Sequence, residues 1–143
     1  MKPTKEQVLK EPAGARLDGW AAEFVLGLEI EWLKDNKGEK YPLLVVRGKT
    51  FYRRERPPQF STIMAEAWKL VEMISPPIPK RTRKDLSFVI TMDNLGDSAK
   101  KESWRVHFEN FELKKPNCFW HHDESAPLTI TKVAIIASYL FRK

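Results

Sequence analysis

The chain has 143 residues, 42% of them hydrophobic and 11% aromatic, enough for one domain with a packed core and too few for two. Its 25 Lys and Arg against 19 Asp and Glu give a formal charge of +6, which favours an anionic partner: nucleic acid, nucleotide or acidic protein. A single cysteine, Cys118, excludes an internal disulfide framework, no Cys or His spacing resembles a closed zinc site, and no run approaches the ~18 apolar residues of a membrane span.

The opening "MKPTKEQVLK" has no apolar segment behind its charges, so a soluble protein of the reducing cytoplasm is expected. In "LDGWAAEFVLGL", Leu17, Trp20, Ala21, Phe24, Val25 and Leu28 recur at three- and four-residue steps, which predicts a helix from about Ala13 to Gly27. The period is then lost. "YPLLVVR" and "TFYRR" read as two strands of a hairpin, with Gly48-Lys49 in its turn.

Pro57 and Pro58 stop the second strand, and "FST" follows at once. Ser61 or Thr62 can accept from an exposed helical N–H, and Glu66 suits the positive end of the dipole, so a second helix is predicted from Ser61. Ile63, Met64, Ala67, Trp68, Leu70, Val71 and Ile74 make its apolar stripe, which places Trp68 in the core. "SPPIPKRTRK" ends it.

"LSFVITM" is a continuous apolar run suited to a central strand, and "SWRVHF" alternates Trp104, Val106 and Phe108 with Arg105 and His107. The apolar parity changes at Phe111 and Leu113, which predicts a bulge or bend near Asn110. "KKPNCFWHH" supplies a turn and one more strand, completing an antiparallel meander. In "ESAPLTITKVAIIASYLFRK", Ser125 is a good N-cap and Pro127 suits the first turn. This third predicted helix is apolar on most sides, through Leu128, Ile130, Val133, Ala134, Ile135, Ile136 and Ala137, so it should be enclosed rather than lie on the surface. The expected fold class is α+β: an antiparallel β-sheet with helices packed on it, in the order α-ββ-α-βββ-α, as a single domain over residues 1–143.

Three blocks also carry a resemblance. "EPAGARLDGWAAEFVLGL", "FSTIMAEAWKLVE" and "SAPLTITKVAIIA" resemble, in order and spacing, the signature helices of the phage ABA-sandwich domain family. The chain departs from that pattern by Phe60 in place of Tyr, and by the basic additions "FYRRERPP" and "IPKRTRK". The resemblance implies an α/β/α sandwich of phage or prophage origin, and no particular activity.

Catalytic candidates are few. Cys118 in "CFW" reads as an inert buried thiol, and His107 as a solvated residue on a polar strand face. The adjacent His121 and His122 of "HHDE" would point to opposite faces of a strand, which suits neither a shared metal nor a dyad. With no Gly-rich phosphate loop, an enzyme is not expected, and neither cofactor nor metal is assigned.

Binding is the better expectation. "RGKTFYRRER" sets Arg47, Lys49, Arg53, Arg54 and Arg56 around Phe51 and Tyr52, a mixture suited to phosphates and a stacked base, and "KRTRK" adds Lys80, Arg81, Arg83 and Lys84. The alternative is a solvated basic face. The first run leads into the start of the second predicted helix, where free N–H groups and the dipole favour anions. The candidate ligand-binding set is therefore Tyr52, Arg53, Arg54, Arg56, Phe60, Ser61 and Thr62, joined by Trp120, His121 and Ser125 if the starts of the second and third helices converge. For a small phage protein, this implies a sequestering protein that captures a nucleotide-type immune signal of the infected host. A nucleic-acid-binding accessory protein and a protein-binding inhibitor of a host enzyme are the alternatives. Exposed strand edges make a homo-oligomer plausible.

Overall fold

The computed structural model describes residues 2–74, 87–93, 103–110, 117–123 and 125–140, the three segments between 87 and 123 by their backbone pairing. Two helices come first, α1 (Lys5–Lys10) and α2 (Ala15–Phe24), then the strands β1 (Ile30–Lys34), β2 (Lys40–Arg47) and β3 (Tyr52–Glu55). Helix α3 (Met64–Ile74) precedes strands β4 (Ser87–Asp93), β5 (Ser103–Asn110) and β6 (Asn117–Asp123), and α4 (Ala126–Leu140) follows.

The molecule is α+β, with antiparallel sheet and helices packed on it, but the order differs from α-ββ-α-βββ-α in two places. Helix α1 was not expected. Its signal is "TKEQ": Thr4 Oγ1 accepts from Gln7 N–H at 3.2 Å, and Gln7 Oε1 accepts from Thr4 N–H at 2.8 Å, a reciprocal capping box. Strand β1 was not expected either, because only Ile30 and Trp32 alternate with Glu31 before Leu33 breaks the pattern. Its turn is specified by Asp35, whose carboxylate accepts from the N–H groups of Lys37 (2.8 Å) and Glu39 (2.9 Å).

Nor do the strands form one sheet. β1, β2 and β3 make one three-stranded antiparallel sheet, and β4, β5 and β6 a second. The helices join them: α2 packs on β1 and β2, α4 packs on β5 and β6, and α2 and α4 touch each other. A single sheet with helices on both faces is thus replaced by two sheets held through a helical centre. The β5 ladder is unbroken from Ser103 to Asn110, so no bulge interrupts it there. The parity change at Phe111 lies outside the described residues.

Helix α4 is enclosed, as its composition requires. Ile130, Val133, Ala134, Ile135, Ile136 and Ala137 are fully buried, each larger side chain contributing roughly 1.5–3 kcal/mol. Leu17, Ala21 and Ala22 of α2, and Ala67, Leu70 and Ile74 of α3, complete the cluster with Val8 of α1. Lys132, buried on α4, donates from Nζ to the Leu9 carbonyl at 2.9 Å, satisfying an oxygen at the negative end of α1. Four residues of the expected apolar faces fall outside it: Leu28, Ile63, Met64 and Trp68 are exposed, Trp68 by 42%. Helix α2 stops at Phe24, short of the predicted Gly27, where the chain turns back through Gly27 at φ +68° and Leu28 N–H reaches Ala22 O at 3.0 Å.

Helix α2 approaches β2 at a glycine. A Cβ on Gly19 would stand 2.5 and 2.6 Å from Cβ and Cγ of Pro42 and 3.0 Å from Cη2 of Trp32. Pro42 is tolerated in the middle strand because β3 pairs only Leu44–Arg47, so no ladder bond is missing on that side. Alanine would ordinarily stabilise a helix interior by about 1 kcal/mol over glycine. Here the proline ring cannot yield, so Gly19→Ala is expected to destabilise the protein by about 1–3 kcal/mol in urea denaturation, the usual cost of overpacking. A gain in stability would show that the helix and strand are not in this contact.

Candidate functional site

The stretch "FST" does not begin a helix. Gln59 O accepts from Thr62 N–H (3.3 Å) and Ile63 N–H (2.9 Å), closing a turn, and α3 starts at Met64, with Ile63 O taking the N–H groups of Glu66 and Ala67. The start expected at Ser61 is corrected by three residues, because the two prolines lead into this turn before the chain can coil. Phe60 is fully buried in the core cluster, so its ring offers no stacking surface.

Ser61 is fully buried as well and is used by the other end of the fold. Its backbone N–H donates to Asp18 Oδ1 at 2.7 Å, and its Oγ accepts from Gly14 N–H at 3.0 Å. The Ser61 hydroxyl also donates to the Asp18 carboxylate. These bonds draw the turn onto the start of α2, and they take Ser61 out of a surface site. Burial pushes the Asp18 pKa up, and the two bonds from Ser61 offset part of that rise.

Beside this tie lies a cavity of about 560 Å³. Gly14 and Ala15 at the start of α2, Asp18, Tyr41 of β2, Arg56 and Thr62 line it. No side chain caps α2, so its first N–H groups beyond Gly14 lack a helical acceptor and the positive dipole end faces this region. Two of the expected ligand residues, Arg56 and Thr62, thus meet in one concavity. The helix start beside them is α2 rather than the one that follows them in sequence.

The remaining basic residues stand apart, Arg53 and Arg54 on the exposed outer strand β3 and Arg47 at the end of β2. Arg54 Nε lies 2.8 Å from Glu31 Oε2, and Arg47 makes a two-pronged bond to Glu29 at 2.8 and 2.9 Å. Arg53 pairs with Glu55 at 3.6 Å. Arg47 and Arg54 also cover the Tyr52 ring, 5.0 and 5.6 Å from its centroid, so Tyr52 is already occupied by this chain's own cations. Among the described residues, Arg56 makes no ion pair.

Trp120 and His121 belong to β6, opposite His107 and Val106 of β5, in the sheet that does not contain Arg54 and Tyr52. Ser125 acts as a cap: its Oγ accepts from Leu128 N–H at 3.3 Å. The basic run Lys80, Arg81, Arg83 and Lys84 lies outside the described residues. Among the described residues, no three His, Cys, Asp or Glu gather as a metal site, and no helix is long and apolar enough to cross a membrane. No protein-family model matches the chain, and no curated protein is significantly similar to it.

Sequence reasoning missed Gly14, Asp18 and Tyr41. Asp18 carried a signal, an acid interrupting the apolar face of a helix between Leu17 and Ala21. Such a residue is buried only with donors around it.

The raised Asp18 pKa fixes the sign of a pH effect. Its folded value lies above the unfolded 3.8, so the contribution of this group to stability is complete below 3.8 and declines as pH rises through the folded value. In Asp18→Asn, Oδ1 still accepts from Ser61 N–H, and that decline should vanish from urea midpoints followed from acid to neutral pH. An unchanged pH slope would contradict the burial of this carboxylate. Ser61→Ala leaves Gly14 N–H without its acceptor and should cost roughly 1–3 kcal/mol.

Proposed function

We propose that this chain is a non-enzymatic binding protein that takes up a phosphate-bearing, nucleotide-type small ligand at the Arg56 cavity. The observation that carries this reading is an arginine with no acidic partner among the described residues, set in a concavity with Thr62, the aromatic Tyr41 and an uncapped helix start. Guanidinium, hydroxyl and backbone N–H groups are the donors that phosphate oxygens take, and a tyrosine ring suits a base. Given the resemblance of its helical blocks to a phage family, the biological role we assign is sequestration of a nucleotide immune signal in the cytoplasm of an infected bacterium. β1 and β3 are the outer strands of their sheet, and a homo-oligomer formed through such edges belongs to the same proposal.

The glutamates paired with Arg47, Arg53 and Arg54 weigh against an extended nucleic-acid track along β3. One observation favours a second reading, a protein-binding inhibitor: Ile63, Met64 and Trp68 are each 40% or more exposed at the start of α3.

A thermal-shift screen against cyclic oligonucleotides, ADP-ribose derivatives and short DNA separates these readings, because a ligand of the native state raises the melting temperature by mass action. The expected result is a shift with a nucleotide that survives physiological salt. Arg56→Ala should weaken that binding about tenfold or more, through loss of a charge-assisted bond, while Arg54→Ala changes it little. A shift with DNA alone that fades as salt rises, or none at all, would overturn the proposal.

A further inference from the structure

On the other side of the α2–β2 contact lies a second cavity, of about 620 Å³, which includes none of the residues discussed above as ligand-binding. Trp20 of α2 and Trp32 of β1 form its wall, and Lys2, Arg16 and Lys40 are its cations, with Glu39 as its acid. The indoles are held in place: their centroids are 6.5 Å apart with planes tilted by 44°, and Trp32 Nε1 donates to Glu23 Oε2 at 3.0 Å. Rings so close and so inclined leave no slot between them, and they present a fixed aromatic wall rather than a clamp.

The charges beside this wall are unbalanced. Lys34 and Lys40 stand directly opposite each other across β1 and β2, on the face of the hairpin that also carries Trp32 and Pro42. Like charges in that position repel, and among the described residues neither lysine has an acidic partner. Arg16 is only loosely held, its guanidinium 3.7 Å from Glu11. An anion beside Lys40 would relieve the repulsion, and the neighbouring indoles would take up a flat ring joined to it.

We propose that this cavity is a binding site for a planar aromatic ring carrying an anionic group, of the nucleoside monophosphate class. The ring lies against the Trp20–Trp32 wall, and the phosphate sits with the lining cations Lys40 and Arg16. The volume falls in the range of small-ligand pockets. The proposal is independent of the Arg56 cavity and stands if that cavity binds nothing.

Calorimetric titration of the purified chain with each of the common nucleoside monophosphates, the matching nucleosides and inorganic phosphate tests it, with tryptophan fluorescence as a second readout. The expected result is saturable binding of at least one nucleotide with a change in fluorescence, weaker binding of its nucleoside and none of phosphate alone. Lys40→Glu, an exposed substitution that leaves the core intact, should lower the affinity roughly tenfold. Trp32→Leu should do so by a similar or larger factor through lost stacking. Arg56→Ala should leave this binding unchanged, which separates it from the ligand of the other cavity. Absence of saturable binding by every nucleotide, equal affinity in Lys40→Glu, or loss of binding in Arg56→Ala would each overturn the assignment.

Discussion

The contact on which the rest depends is the buried set of bonds between Ser61 and the start of α2. Asp18 is a carboxylate taken out of water, which is costly unless donors surround it. Ser61 supplies two, its N–H and its hydroxyl, and its oxygen in turn accepts from Gly14. A residue 43 positions away in sequence therefore determines where the turn after β3 must lie. That turn places Arg56 and Thr62 over the open end of α2.

Around this tie the architecture follows from two further constraints. Helix α4 is apolar on nearly every side, so it can be stable only when covered all round, and α1, α2, α3 and the second sheet all pack against it. Helix α2 is pressed between α4 and β2, and Gly19 lets it come down onto Pro42. That close line of contact divides the space between helix and hairpin. One cavity opens on the side of Asp18, Tyr41 and Arg56, the other on the side of Trp20, Trp32 and Lys40.

Charge is distributed to match. Arg47, Arg53 and Arg54 of the hairpin already have glutamate partners, Arg47 and Arg54 also cover Tyr52, and exposed pairs of this kind contribute little to stability. Of the cations that lack an acidic partner among the described residues, Arg56 lines one cavity and Lys40 the other, with Lys34 opposite Lys40.

The sequence by itself determined the local elements whose period or chemistry is strong. Helix α4 is legible in its apolar run with Ser125 before it and Pro127 in its first turn, α2 in its three- and four-residue steps, and the β2–β3 hairpin in the strand-like "YPLLVVR" and "TFYRR" around Gly48. Weak local signals were overlooked: the "TKEQ" capping box ahead of a helix with only Val8 buried, and β1, too short to declare its alternation. What only the tertiary structure decided is which distant groups meet. A serine before a helix looks like that helix's cap from local chemistry alone. Here it serves another helix, because a buried acid far upstream needs its donors more than the solvent-exposed first turn of α3 does. Likewise, "FYRRER" reads as a basic patch until Glu31, on β1, pairs with Arg54, and Glu55 with Arg53, leaving Arg56 as the arginine of the run without an ion pair among the described residues. Hydrophobic period is a property of neighbours in sequence; the pairing of a charge or the filling of a hydrogen bond depends on neighbours in space.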